Sequence, residues 1–167
     1  MSKLAGKNGA CYTTNLLVEN AEDTWAEQVV SGVTLSTTTG KVGTNAARAT
    51  TVGVGATTIL MSEAMASVDL SAYDALVLWI RSSVNTAAGD LRILLDNTAL
   101  CASPLEDLQV PALTAATWTR VLLKFATPAN LTAIISIGLK QQADLADGTF
   151  DVDDVQALQL VDGVSGW

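Results

Sequence analysis

The side chains able to do chemistry in this chain are few, and their types and spacing exclude most catalytic schemes. There is no histidine among the 167 residues. This removes the commonest general base, the Ser–His and Cys–His pairs, and His-ligated zinc. Cys11 and Cys101 stand far apart with no ligand spacing around them. Such sparse cysteines fit buried, reduced thiols better than a bridge, although a disulfide here would close a long loop. Glu106 and Asp107 are paired carboxylates, but sequence neighbours are not opposed across a cleft as glycoside hydrolysis requires. No Gly-rich phosphate loop precedes a helix, and there is neither a Cys-x-x-Cys pair nor a nucleophile elbow. The chain reads as a non-enzyme.

The polar residues that do stand out are cations on strand-like runs. Ala75–Ile80 is too short for an independent helix and too apolar for a loop, so it reads as a buried strand. Successive strand side chains point to opposite faces. Leu76, Leu78 and Ile80 then share one face, and Val77, Trp79 and Arg81 share the other. Asp90–Asp96 repeats the scheme, with Leu91, Ile93 and Leu95 set against Arg92 and Leu94. In this register Arg81, Arg92, Arg120, Lys124 and Lys140 project away from the core. Two readings stay open for that row: a docking face for an acidic protein or a polar glycan, or ordinary cross-strand pairing with Asp and Glu. A one-residue slip would reverse the faces. Trp79 is a candidate for stacking on a sugar ring. Trp25 and Trp118 are read as core, and Trp167 as a contact between subunits.

The elements that must position these residues are strands. The runs Cys11–Glu19, Val33–Thr38, Ala46–Thr51, Ala56–Met61, Ala75–Ser83, Asp90–Asp96, Trp118–Phe125, Ala133–Lys140 and Thr149–Leu160 read as β, and Trp25–Val30 as strand-like. Ser62–Ser67 is the one plausible helical turn, with Ser62 as N-cap. Asn97–Ala116 reads as a long irregular connection carrying Pro104 and Pro111. Turn signals recur at Pro128–Asn130 and Ala146–Gly148. The expected fold is all-β: an antiparallel β-sandwich jelly roll with about nine or ten strands and little helix. Residues 1–10 are expected to form a flexible arm, 11–160 the sandwich and 161–167 a tail. Hydrophobic residues make up 49% and charged residues 16%, with a formal net charge of −8. That composition fits one folded domain and disfavours nucleic acid as a partner. No apolar run reaches the ~20 residues of a membrane helix, and the start lacks the apolar core of a secretory signal. The chain is therefore expected to fold in a cytoplasm, with no membrane partner.

Two resemblances add to this reading. Asp-Leu-Ser-Ala-Tyr-Asp-Ala-Leu-Val-Leu-Trp-Ile-Arg-Ser-Ser (69–83) resembles the D-S-x-Y-x-x-L-x-F-W-I-R strand of galactose-binding-like, carbohydrate-binding-module-like jelly rolls. The likeness continues in Val-Glu-Asn-Ala-Glu-Asp-Thr-Trp (18–25), residues 89–96 and 111–121, Ile-Ile-Ser-Ile-Gly-Leu (134–139) and Phe-Asp-Val-Asp-Asp-Val (150–155). It implies the fold, and it implies a structural calcium ion held by Asp153 with Glu19, Glu22 or Asp23, since calcium takes several oxygens. It does not fix sugar binding. The start Met-Ser-Lys-Leu-Ala-Gly-Lys-Asn-Gly-Ala resembles the first residues of tailed-bacteriophage virion structural proteins. With the Ala/Thr richness and few charges, it implies a capsid decoration (cement) protein, localised in the virion. Such a protein would bridge shell subunits and contact the major capsid protein or other virion proteins, as a trimer by analogy. Lys3, Lys7, Trp79, Arg81, Arg92, Arg120, Lys124 and Trp167 are the expected partner-binding residues. A carbohydrate-binding module is the alternative, and a module of a phage fibre, tail or baseplate is a third.

Overall fold

The computed structural model describes residues 4–5 and 11–160. Eleven strands run in chain order: β1 (Leu4–Ala5), β2 (Cys11–Glu19), β3 (Val33–Thr39), β4 (Asn45–Thr51), β5 (Thr58–Val68), β6 (Ala75–Ser82), β7 (Leu91–Asp96), β8 (Glu106–Gln109), β9 (Thr119–Lys124), β10 (Ile134–Gln141) and β11 (Gly148–Leu160). They form two sheets whose strand pairs are all antiparallel. The smaller sheet has the order β5-β10-β7-β8. In the seven-stranded sheet β6 lies along one edge of β11 and carries β9 on its far side. Along the other edge of β11, β4 pairs residues 148–152 and β2 pairs residues 155–160. β3 extends the sheet beyond β4, and β1 beyond β2.

Between the sheets lies a dry core. β6 contributes Leu76, Leu78 and Ile80, β9 Val121 and Leu123, and β11 Phe150, Val152, Val155 and Ala157. Opposite them stand Leu91, Ile93 and Leu95 of β7 with Ile137 and Leu139 of β10. The alternation expected for β6 and β7 is therefore the one observed, and each strand is held by the face it must bury. Along β11 the period slips once. The inward pair Phe150/Val152 is followed by Val155/Ala157, three residues on, across a register shift between Asp153 and Gln156. Asp154 there adopts a left-handed φ of 48°. This is a β-bulge: one extra residue keeps both halves of a 13-residue strand facing inward.

Several expectations are corrected. Ser62–Ser67 is not a helical turn; it lies within β5 and pairs with β10. Its short polar and small residues carry little helix periodicity, and the long-range pairing decides. Asn97–Ala116 is not structureless, because it holds a 3-10 turn at Ala99–Cys101 and then β8. Trp25–Val30 forms no named strand; Ala26 alone bridges to Ser62 while Trp25 is fully buried. The 3-10 turn packs Cys101 on the outer surface of the smaller sheet at Gly138, which pairs with the buried Leu94. Gly138 makes room for it: a Cβ there would meet the Cys101 sulfur at 3.0 Å. Cys101 is a free, buried thiol.

Leu78→Ala is expected to cost about 3 kcal/mol, because its site is closed on all sides. Thermal unfolding should show a drop of about 6–12 °C. Leu122→Ala, on the opposite face of the same sheet and 36% exposed, should shift the midpoint by less than about 2 °C.

Candidate functional site

The outer face of the seven-stranded sheet carries the chain's concentration of polar and aromatic side chains. Its register sets four rungs across the strands. The first runs Arg48 (β4), Asp151 (β11), Arg81 (β6), and Arg81 continues it to Trp118, whose ring centroid lies 4.6 Å from the guanidinium carbon. The second runs Asp153, Trp79, Arg120. The third runs Leu17, Gln156, Val77, Leu122, and the fourth Asn15, Leu158, Ala75, Lys124. Trp79 therefore sits near the middle, half-buried, with a cation beside it on β9 and a carboxylate on β11.

Asp151 is the electrostatic centre of this face. Its side chain is 1% exposed and accepts from Arg48 Nε (2.6 Å) and Nη2 (3.0 Å) and from Arg81 Nε (2.7 Å). Desolvating a carboxylate is costly, and here two charge-assisted contacts offset it. The hydrogen bond to Asp151 raises the Arg48 pKa further. A recess of about 190 Å³ opens beside the two arginines, lined also by Ser83, Ala116 and Thr149. Arg81 over Trp118 is a cation–π contact that fixes both groups.

Asp153 does different work. Its Oδ2 accepts the backbone N–H groups of Lys41 (2.5 Å) and Val42 (2.8 Å). Glu22 holds the other end of the same loop, accepting from the N–H groups of Thr44 (2.8 Å) and Asn45 (2.9 Å). Gly43 (φ +65°) passes so close to Glu22 that a Cβ there would collide with the carboxylate. The loop so anchored lays Lys41 over the Trp79 ring, Nζ 5.1 Å from its centroid. Burial raises the Asp153 pKa; the two amides lower it, and Asp154 and Glu22 raise it. Its Oδ1 is buried without a hydrogen-bond partner.

The expected site residues are thus distributed unevenly. Trp79, Arg81, Arg120 and Lys124 share the face. Arg92 and Lys140 do not: they lie on the smaller sheet, on the far side of the sandwich, where both pair with Asp107 at 3.4 Å. The single basic row is therefore two rows, because alternation assigns a residue to the face away from the core but not to a sheet. Trp118 belongs to the outer face rather than the core. Lys3, Lys7 and Trp167 lie outside the described residues. Of the expected calcium ligands, Glu19 accepts the Ala21 N–H (2.9 Å), Glu22 and Asp153 hold the loop, and Asp23 is exposed. Among the described residues no group of three or more His, Cys, Asp or Glu side chains is placed to hold a metal ion. Glu19, Glu22 and one oxygen of Asp153 accept backbone N–H groups instead.

Lys41 and Arg48 are not singled out by sequence reasoning, and Asp151 only as one of the acidic residues of the last strand. The thiol of Cys101 is pushed up to about 11 by burial, which leaves it no nucleophilic role at neutral pH. A larger recess, about 480 Å³, lies between β8 and β9, the free edges of the two sheets. Leu108, Val110, Pro111 and Leu122 line it, and its Glu106 is occupied by the N–H groups of Ala126 and Thr127.

No protein-family model matches this chain, and no curated protein sequence matches it. Solved structures do. A family 11 carbohydrate-binding module from Clostridium thermocellum, in complex with a β-1,3-1,4-mixed-linked tetrasaccharide, superposes with a TM-score of 0.56 at 14% identity, over 87% of this chain and 95% of that one. The fold is a β-sandwich jelly roll, the architecture of that module. A second family 11 module, from the cellulosomal cellulase Lic26A-Cel5E of the same organism, gives 0.53 at 16% identity over 89% and 95%. The CBM22-1 xylan-binding domain of Paenibacillus barcinonensis Xyn10C gives 0.50 at 13% over 85% and 91%. At these identities the likeness is one of architecture.

Two outcomes follow from the carboxylates. Asp151→Asn leaves two guanidinium groups facing each other without a counter-charge, and should cost about 2–3 kcal/mol, read as a melting midpoint lowered by about 5–10 °C. For Asp153 the sign is the reverse of a salt-bridged carboxylate. Its native pKa is raised above the ordinary ~3.9, so in the window above that value the folded protein binds more protons, and stability falls as pH rises through it. Asp153→Asn keeps an acceptor for the loop amides and removes the charge. It should flatten the fall in melting midpoint as pH rises above about 4, with Glu63, also raised by burial, contributing in the same sense. An unchanged slope would show that Asp153 does not titrate in this way.

Proposed function

We propose that the outer face of the seven-stranded sheet is a carbohydrate-binding platform, and that the protein is a non-enzymatic recognition module. The observation that carries this is Trp79: a half-buried indole near the middle of the sheet face, flanked by Arg120, Arg81 and Asp153. Sugar rings offer an apolar C–H face and a polar rim. They are recognised by an aromatic plane bordered by a few fixed hydrogen-bonding groups. Arg120 borders Trp79 on one side, and Gln156, held by Asn15 Nδ2 at 3.0 Å, lies one rung away. Lys41 is exposed, so a sugar displaces its cation–π contact at a cost of only about 0.5–1 kcal/mol. The likeness to carbohydrate-binding modules supports the architecture of this reading. Its chemistry rests on the face itself.

A second reading draws on a separate feature, the recess between the free edges of β8 and β9. An unpaired strand edge is a ready template for a strand from another chain. A capsid decoration protein seated through that recess on the major capsid protein of a virion shell is the form this reading takes.

Oligosaccharide titrations followed by tryptophan fluorescence and calorimetry test the first reading. A ligand should be found whose affinity falls at least tenfold in Trp79→Ala with the fold intact by circular dichroism. A panel that leaves both signals silent would overturn it. Binding of the purified protein to expanded shells lacking it, lost on Leu122→Arg with the fold intact by circular dichroism, would establish the second instead.

A further inference from the structure

The face described above is cationic on a protein whose formal net charge is −8. Of the seven Lys and Arg among the described residues, Arg92 and Lys140 are on the smaller sheet, where both pair with the single carboxylate of Asp107. The other five, Lys41, Arg48, Arg81, Arg120 and Lys124, all belong to the platform or to the loop over it. Among the described residues no carboxylate lies within ion-pair distance of Lys41, Arg120 or Lys124. Arg48 and Arg81 share the single carboxylate of Asp151, which is buried beneath them. One positive charge of that pair is therefore uncompensated within the trio. Arg48 engages Asp151 through Nε and Nη2, and Arg81 through Nε alone. That leaves Arg48 Nη1 and both terminal nitrogens of Arg81 unengaged by Asp151, and both side chains line the recess of about 190 Å³ together with Thr149 and Ser83. The Arg81 guanidinium is already held flat over Trp118 and tethered at Nε. A fork fixed in this way loses little freedom when it takes an anion.

We propose that the preferred ligand of the platform is an anionic polysaccharide, with a carboxylate or sulfate group seated in the Arg48–Arg81 recess and the neighbouring ring stacked on Trp79. This rests on the carbohydrate reading given above and names its ligand class. Trp79 and Arg81 are two residues apart on one strand, about 7 Å, a separation on the scale of adjacent sugar units. A planar carboxylate or a sulfate matches the bidentate geometry of guanidinium. Arg120 and Lys124 extend the same polarity along β9. The acidic residues elsewhere repel a polyanion, so approach is favoured only at this face, and binding must weaken steeply with salt.

Calorimetry and affinity electrophoresis with four probes test it: an oligogalacturonate, a heparin-derived hexasaccharide, a mixed-linkage β-glucan tetrasaccharide and xylohexaose, each at 50 and 300 mM NaCl. One or both acidic probes should bind, at least tenfold more weakly at the higher salt and at least tenfold more weakly in Arg81→Gln. The oligogalacturonate and heparin arms distinguish carboxylate from sulfate recognition. Because Arg81 also supports Asp151, Arg120→Gln serves as a second variant; it should keep its melting midpoint and lose at least threefold in affinity for the acidic probe. Trp79→Ala should lose binding altogether. Binding of the neutral probes alone, insensitive to salt and to Arg120→Gln, would overturn the anionic assignment and leave the carbohydrate platform standing. Silence of all four probes would overturn both. Acidic binding unchanged in all three variants would place the contact elsewhere and overturn the proposal.

Discussion

A single extra residue in β11 is the constraint on which the rest of the molecule depends. β11 is the spine of the seven-stranded sheet: it pairs with β6 along one edge and, on the other, with β4 and then β2. A strand serving two partners in series cannot keep one regular ladder with both. The bulge at Asp153–Asp154 is the point of transfer. It bends the strand, moves the ladder from β4 to β2, and restores the inward phase of Val155 and Ala157. Without it the C-terminal half of β11 would turn its apolar side to water. The bulge also aims Asp153 at the loop after β3, so a residue inserted for sheet geometry becomes the anchor of the segment that carries Lys41.

The outer face shows the electrostatic consequence. Two aspartates two residues apart on the same strand are both fully buried, yet their surroundings differ. Asp151 lies between guanidinium groups and accepts charge-assisted hydrogen bonds from both. Asp153 is satisfied by neutral amides on one oxygen only, with Asp154 and Glu22 nearby, and burial raises its pKa. A sheet face built only for solubility would leave its charges in water, where pairs contribute little. Here a buried carboxylate orders two arginines, one of which orders Trp118, so rigidity is distributed from β4 to β9 by a chain of direct contacts.

Much of the fold was legible because local and global demands agree. In β6 and β7 the alternation of Leu and Ile with Trp and Arg is strong, and the breakers on either side leave one length for each strand. Legibility failed where a segment's role depends on distant partners. Ser62–Ser67 reads as a short helical turn until β10 pairs with it. Glu106–Gln109 is four residues long and disappears into a proline-containing stretch until β7 pairs with it. The same limit split the basic row. Alternation locates Arg81 and Arg92 away from the core with equal force, but the sheet each strand joins is a matter of topology, and the two end on opposite sides of the molecule. Trp118 was read as core because aromatic residues usually are; its partner Arg81 is 37 residues away in sequence, and no local pattern announces it. Arg48 lay in a run of Ala and Thr too weak in periodicity to declare a face, yet it completes the site.

The distribution of charge bears on function more directly than the fold does. A jelly roll of this kind is a scaffold, and the ligand is chosen by what decorates its broad sheet. An aromatic platform for a neutral glycan needs exposed rings and uncharged hydrogen-bonding groups. This chain has few aromatic residues, and among the described residues Trp79 and Trp118 on this face are each in contact with a cation, Lys41 at Trp79 and Arg81 at Trp118. Asp151 pairs with two of the cations of the face, Arg48 and Arg81, and among the described residues no carboxylate lies within ion-pair distance of Lys41, Arg120 or Lys124. These cations do not serve general solubility, which the net charge of −8 already provides. Five cations gathered on one face of an acidic protein impose repulsion among themselves, and a bound polyanion relieves it. An uncharged ligand would leave that repulsion in place.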